Sequence, residues 1–188
     1  MKAKKDMRKA MKDALASQPD AEQKQKSRLI TASLCSLLEY KSAKTILSYV
    51  SMDEEVSTKE LIKYSLSIGK TVVVPAVDNK TETLTFHELK STSELAPGYK
   101  GILEPKSPKC VFPHQKIDLA ILPGLAFDEK GGRLGRGKGM FDKCIGELAC
   151  QKIALSFDFQ VVASVPVSSR DLPVDIVITE KRVIRASR

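Results

Sequence analysis

Residues 117–145 read IDLAILPGLAFDEKGGRLGRGKGMFDKCI, and the fold class follows from how this stretch is parsed. Its apolar run 119–122 stops at Pro123-Gly124, as a buried strand stops at a turn. Six of the ten glycines in the protein lie between Gly124 and Gly139, where positive φ angles and close backbone approach let successive N–H groups converge on an anion. Lys130, Arg133, Arg136 and Lys138 are interleaved with them. Beyond Gly139 the spacing of Phe141, Ile145 and Leu148 predicts a helix, whose N-terminus adds partial positive charge. Buried strand, glycine-basic loop and helix together predict a phosphate cradle. A Walker loop is nearly matched, since Gly132 to Lys138 fits G-x-x-x-x-G-K, but Gly139 stands where the magnesium-binding hydroxyl belongs. The dinucleotide fingerprint fails because no third glycine follows Gly135 and Gly137 at the required spacing.

Outward from this stretch, residues 45–50 and 71–74 predict buried strands on either side of a helix over 58–68, which Ser57 caps and Gly69 ends; Pro75 stops the second strand. Strand, helix, strand implies a parallel pair with a right-handed crossover. Segment 51–57 then falls at the carboxyl end of a strand, where open α/β sheets bind ligands, and the glycine loop falls at the same edge. Two helices precede this unit. One spans 4–16 with Met7, Met11, Ala14 and Leu15 as its apolar stripe; the other spans 21–40 and buries Ile30, Leu34, Leu37 and Leu38, after a break at Ser17-Gln18-Pro19-Asp20. Lys4 and Arg8, four apart, share a helix face that reads either as solvated or as reaching one phosphate. Residues 83–88 predict an edge strand, 95–115 an extended surface excursion rich in proline, and 153–157 and 176–179 short buried parallel strands. The expected architecture is one domain, residues 1–188, built as a three-layer αβα sandwich around a mostly parallel sheet.

With 188 residues, 42% hydrophobic and 29% charged, the chain has an ordinary globular balance. Its net charge of +8 points to anionic partners. Aromatic content of 5% with no Trp lacks the stacking platforms of a single-strand nucleic-acid binder. Cys35, Cys110, Cys144 and Cys150 form no C-x-x-C and no zinc spacing, which fits reduced thiols in a cytosolic protein. The basic N-terminus has no apolar core of a secretory signal, and Asp6 and Asp13 interrupt a transit-peptide face. No apolar run reaches membrane-spanning length.

The run PGLAFDEKGGRLGRGKGMFDK resembles the signature of the 5-formyltetrahydrofolate cyclo-ligase family, approximately PGxAFDxxGxRLGxGxGYYDR. Lys4-Lys5-Asp6-Met7-Arg8 is similar to the family's N-terminal K-x-x-L-R, Ser51 to Thr58 to its substrate segment, and Asp171 to Asp175 to a C-terminal run. The resemblance implies a fold shared with ribose-5-phosphate isomerase and CoA transferases. It also implies an ATP site at Lys4, Lys5, Asp6, Met7, Arg8 and at Arg133, Leu134, Gly135, Arg136, Gly137, Lys138, Gly139, Met140, Phe141. Folate contacts fall on Arg8, Met52, Ser57, Arg136, Gly137, Lys138, Gly139 and Met140, with Glu55 able to compensate for Ser57, which replaces an acidic or amide residue. Ser57 reads equally as a helix cap. Met140-Phe141 replaces the usual two tyrosines. Magnesium falls on Asp142 and Asp171, which without the resemblance read as a first-turn helix acid and a turn residue beside Arg170. His87 and His114 match no catalytic position and read as structural or exposed.

The implied reaction is ATP- and magnesium-dependent closure of 5-formyltetrahydrofolate to 5,10-methenyltetrahydrofolate. ADP and phosphate leave, and Lys138 and Arg136 act as the catalytic cations on the transferring phosphoryl group. No protein nucleophile is needed, in keeping with the lack of a recognisable triad. Two other classes fit parts of the chain: a sugar-phosphate isomerase or CoA transferase on the same fold, for which no placed catalytic carboxylate is found, and a basic nucleic-acid-binding module. The expected partners are ATP and folate, with or without a polyglutamate tail, for a cytoplasmic monomer engaging neither nucleic acid nor membrane.

Overall fold

The computed structural model describes residues 2–187 apart from 79, 80, 82, 107–109, 169 and 170. Arg170, named above, lies outside the described residues, as do part of the 95–115 excursion and the side chain of Ile145. Helices α1 (Lys2–Ala16) and α2 (Asp20–Ser36) open the chain. The single helix expected over 21–40 is interrupted. Leu37 is extended (φ −68°, ψ 145°), and the helix resumes as α3 (Leu38–Ser42). Ser36 Oγ donates to the Ser33 carbonyl, a local bond that competes with the helical ladder at this break. The redirection buries Tyr40, whose hydroxyl bonds Ser65 Oγ at 2.7 Å, and turns Leu38 outward at 79% exposure, so Leu38 is not on a buried face.

Strand β1 (Thr45–Ser48), helix α4 (Lys59–Ser67) and strand β2 (Thr71–Asp78) form the expected crossover unit, with β1 and β2 parallel. The cap of α4 is Thr58, not Ser57; Thr58 Oγ1 is spent on the Tyr49 carbonyl, while the Ser57 N–H donates to Ser27 Oγ on α2. Strand β2 runs through Pro75, because β1 pairs only with Thr71–Val73 and Pro75 has a neighbour on one side alone, β3 (Thr83–Leu89). β3 is the edge strand expected there, and it runs antiparallel to β2. The excursion after it carries a small hairpin, β4 (Leu95–Pro97) with β5 (Leu103–Pro105).

Next come β6 (Leu119–Leu122), a short hairpin of β7 (Ala126–Phe127) and β8 (Arg133–Leu134), then α5 (Met140–Ile145), β9 (Gln151–Leu155), β10 (Ile176–Ile178) and β11 (Val183–Arg185). The main sheet runs β11-β10-β9-β6-β1-β2-β3, parallel except at its two edge strands. Strand alternation assigns its two faces. Ile46, Val72, Ile121, Ile153 and Ile178 join Ile30, Leu34, Leu61 and Ile62 of the helices, while Leu47, Val73, Ala120, Leu122 and Val177 join Phe127, Leu148 and Val174. Both faces are therefore buried, as a parallel sheet requires. The first is covered by α2, α3 and α4; the second mainly by hairpin, loops and the six-residue α5, a thinner layer than a full sandwich would have.

Candidate active site

The carboxyl ends of β1 and β6 lie side by side, in register from Ile46↔Leu119 to Ser48↔Ile121. The chain leaves β1 toward β2 and leaves β6 toward β9 on the other side, so these two strands form the switch point where an open α/β sheet has its crevice. A cavity of about 380 Å³ opens there. Met52 and Glu55 line it from the segment after β1, and Arg133 and Gly135 to Asp142 line it from the stretch after β6. Much of the remaining wall is apolar: Val50, Pro75, Val77, Leu84, Ile102 and Leu103.

The glycine-rich stretch is two structures, not one loop. Its first half is the β7–β8 hairpin, whose turn is fixed by the buried Asp128 carboxylate accepting from the N–H groups of Lys130 (3.0 Å), Gly132 (2.8 Å) and Val165 (2.8 Å). Gly131, at φ 84°, packs against the Val174 carbonyl, and Lys130 is exposed on the turn; this half faces the C-terminal segment. The second half faces the cavity, joined from the hairpin by Arg133. Gly137 (φ 115°) and Gly139 (φ 65°) take left-handed backbone, and the Arg8 guanidinium lies 3.6 Å from where a Cβ on Gly137 would stand, at van der Waals distance. The following helix spans six residues and ends before Leu148, so backbone donors and side-chain cations, more than a helix dipole, supply positive charge.

Arg133 is buried and pairs with Asp142, while its Nη1 donates to the Pro123 carbonyl at 3.2 Å. Its Nε is buried with no hydrogen-bond partner, a donor left over at the cavity wall. Arg136 is held by both carboxylates of the facing segment: Nε to Glu55 Oε1 at 3.0 Å, Nη1 and Nη2 to Glu54 Oε1 at 3.1 Å. Burial lowers its pKa, but Glu55 and Glu54 more than offset that, and the net shift is upward. Lys138 Nζ donates to the Tyr99 hydroxyl and sits 5.1 Å from that ring's centroid. In the cavity wall, burial pushes the Tyr49 phenol well above its ordinary range, with Glu55 adding to the shift; its hydroxyl donates to the Val56 carbonyl at 2.8 Å.

Helix α1 reaches the site along one face. Arg8 Nε donates to the Gly135 carbonyl at 2.9 Å, Lys12 lines the cavity, and Lys4 pairs with Asp171. Burial raises the Asp171 carboxyl, but bonds from Lys4, Ser168 Oγ and Ser168 N–H overcome that and hold it at about 2. Met7 packs on the hairpin cluster of Ala126, Leu134 and Val165, whereas Lys5 and Asp6 are exposed. Leu134 has its side chain in that cluster. Ser57 does not line the cavity. Asp142 lines it and Asp171 does not, and the two carboxylates sit in separate networks. His87 is buried between the Cys110 carbonyl and Thr85 Oγ1, and His114 faces Glu147 at 3.7 Å, neither at the cavity.

Several lining residues escaped the sequence reading. Lys12 had a signal, the i, i+4 continuation of Lys4 and Arg8. Tyr99, Lys100 and Glu104 had none, because they reach the cavity only through the β4–β5 hairpin, where Lys100 adopts φ 52°. Tyr99 adds a phenol to the cavity that Met140 and Phe141 also line without one of their own. Among the described residues no helix is long and apolar enough to cross a membrane.

Residues 1–180 match the model of the 5-formyltetrahydrofolate cyclo-ligase family. The chain is 30% identical over 195 residues to the 5-formyltetrahydrofolate cyclo-ligase of Mus musculus, covering 95% of this chain and 94% of that protein. It is 33% identical over 146 residues to the enzyme of the same name from Escherichia coli (strain K12), covering 75% and 80%. In three dimensions it is similar to the NMR structure of Aquifex aeolicus 5,10-methenyltetrahydrofolate synthetase, with a TM-score of 0.88, 29% identity, and coverage of 98% of this chain and 93% of that one.

Proposed function

Since this chain belongs to the 5-formyltetrahydrofolate cyclo-ligase family, and is thus an ATP-dependent ligase forming 5,10-methenyltetrahydrofolate from 5-formyltetrahydrofolate, we propose that the cavity between the β1 and β6 edges is where both substrates meet. One observation carries this reading. Segments 81 residues apart, one carrying Glu55 and the other Arg136, close on the same cavity at 3.0 Å, so a phosphoryl donor and a folate acceptor would lie within direct transfer reach.

Gly135 to Phe141 takes the triphosphate, with Arg8, Lys12, Arg133 Nε, Arg136 and Lys138 as donors around it; Lys4, Lys5, Asp6, Met7 and Leu134 serve by placing α1 and the hairpin. Met52, Glu55 and Met140 hold the folate against the apolar wall, and Ser57 fixes their segment through its N–H bond to Ser27. The formyl oxygen attacks the γ-phosphorus and the bond to ADP breaks. N10 then attacks the formyl carbon and loses its proton, and the carbon–oxygen bond breaks to release phosphate. Lys138 and Arg136 stabilise charge on the phosphoryl group during transfer.

No group of three or more His, Cys, Asp or Glu among the described residues would cage a metal. Nucleotide-bound magnesium needs only one or two protein carboxylates beside the phosphates, and Asp142 at the wall fits that demand. Bound there, magnesium would neutralise phosphate charge; Asp171 would join it only by releasing Lys4. The buried sheet faces support reading the chain as one domain of the ribose-5-phosphate isomerase-like class. A cytoplasmic monomer with no nucleic-acid or membrane partner completes the proposal, and the exposed Lys100 at the rim supplies a cation for a polyglutamate tail.

The test follows one atom. With heavy oxygen in the formyl group, the label should leave in inorganic phosphate. Label released as water, with unlabelled phosphate, would reject phosphorylation of the formyl oxygen.

A further inference from the structure

Arg136 belongs to the phosphate-facing run, yet all three of its guanidinium nitrogens are engaged by Glu54 and Glu55. Those carboxylates are themselves fixed. Glu55, only 11% exposed, accepts the Met52 N–H on its second oxygen at 3.0 Å. Gln23 of α2 donates to the carbonyls of Asp53 (2.5 Å) and Glu55 (3.2 Å), gripping the backbone on both sides of Glu54. The result is a rigid acidic wall with a planar donor fork laid on it.

A reduced pterin presents much the same fork. Its N3–H and 2-amino group lie in one plane and point the same way, which is the geometry a carboxylate accepts from a guanidinium. We propose that Glu55 reads the donor edge of the pterin, that Arg136 occupies this place until folate arrives, and that the displaced guanidinium then moves to the nucleotide phosphates. Glu54 keeps Arg136 beside the cavity before the exchange. The inference rests on the cavity taking both substrates, as set out above.

Glu55 exchanges a cation for a neutral pair of donors, and the displaced cation is what has to find a new anion. Arginine stays protonated, so a guanidinium displaced from a carboxylate needs another anion, and the nucleotide provides one. Two consequences follow. ATP meets an incomplete set of cations unless folate is bound, which limits wasteful hydrolysis. Folate and nucleotide also raise each other's affinity by one common factor, as linkage demands.

The test is titration of a non-hydrolysable ATP analogue with magnesium, with and without saturating 5-formyltetrahydrofolate, and then in the reverse order. In the unaltered protein folate should tighten the analogue about tenfold, and the reverse titration should give the same factor. Glu54→Gln keeps the side chain's size and leaves Glu55 in place; at 34% exposure it should not disturb folding, which a melting curve verifies. It should bind the analogue alone more tightly, and its coupling should fall to about threefold or less. A folate analogue without the 2-amino group gives Glu55 one donor fewer and should couple less than the natural substrate. Equal nucleotide affinity with and without folate, or unchanged affinity and coupling in Glu54→Gln, overturns the exchange. If methenyl product forms but no coupling is seen, only the exchange fails; if neither substrate binds in the cavity, as judged by protection of its backbone amides from hydrogen exchange, the active-site reading fails with it.

Discussion

Gly131→Ala tests the division of the glycine-rich stretch into a structural half and a substrate-facing half. A Cβ built on Gly131 would stand 2.3 Å from the Val174 carbonyl oxygen and 3.0 Å from the Ala186 Cβ, on backbone at φ 84°. Left-handed backbone alone costs about 1–2 kcal/mol for a residue with a side chain. The nearest atom is main chain and cannot rotate away, so segment 173–175 must move. That breaks the 2.9 Å bond from the Val174 N–H to the Gly131 carbonyl, about 1 kcal/mol, and loosens the fully buried Val174, about 1 kcal/mol more. The sum is about 3–4 kcal/mol, and at roughly 2–4 °C per kcal/mol for a chain of this size the melting temperature should fall by about 6–16 °C. Gly139→Ala is the control. It shares the left-handed backbone, at φ 65°, but a Cβ there meets nothing within 4 Å. It should lose only the backbone contribution, about 1–2 kcal/mol or about 2–8 °C. Scanning calorimetry of both variants decides the matter, and equal losses would mean that the two glycines do the same job.

Asp142→Asn should have two effects, since it leaves the buried Arg133 without its charge partner and weakens the carboxylate assigned to magnesium: stability falls by about 3–5 kcal/mol and the magnesium needed for half-maximal activity rises. Superimposable magnesium titrations would leave Asp142 as a structural partner of Arg133 alone. Lys138→Ala should lower turnover about a hundredfold while weakening folate binding far less, because its contact strengthens as charge develops; unchanged turnover at saturating ATP rejects the role. Asp171 titrates from an ordinary 3.8 down to about 2 in the fold, so its stabilising contribution is complete above 3.8 and lost as pH falls toward 2. Denaturant melts between pH 2 and 5 should show that loss in the unaltered protein and not in Asp171→Asn, and parallel profiles would dismiss it.

Much of the scaffold was legible because it is written locally. The apolar runs at 45–50, 71–74, 119–122, 153–157 and 176–179 each overlap a strand, although β9 begins earlier, at Gln151, and β2 runs on to Asp78; the parallel direction of the strands put the 51–57 segment and the glycine stretch at one sheet edge. The misses are local signals that a neighbour overrode. Helical periodicity continued through Leu37, yet packing of Tyr40 beneath α4 turned the chain there. Pro75 reads as a strand end only if both its sides are paired, and pairing is not a property of the sequence around it.

For the site, the residue types and spacing of 135–142 determined the chemistry on offer: left-handed glycines, cations and one carboxylate between a strand and a helix. The tertiary structure decided how that offer is divided. It gave Gly131 to the C-terminal segment and Gly137 to the cavity, brought Tyr99 to Lys138 across 39 residues, and laid Arg136 on Glu54 and Glu55. Backbone dihedrals and apolar period depend on near neighbours and so can be read along the chain, whereas ion pairs and cavity walls depend on distances between remote segments, which exist only once the sheet has packed.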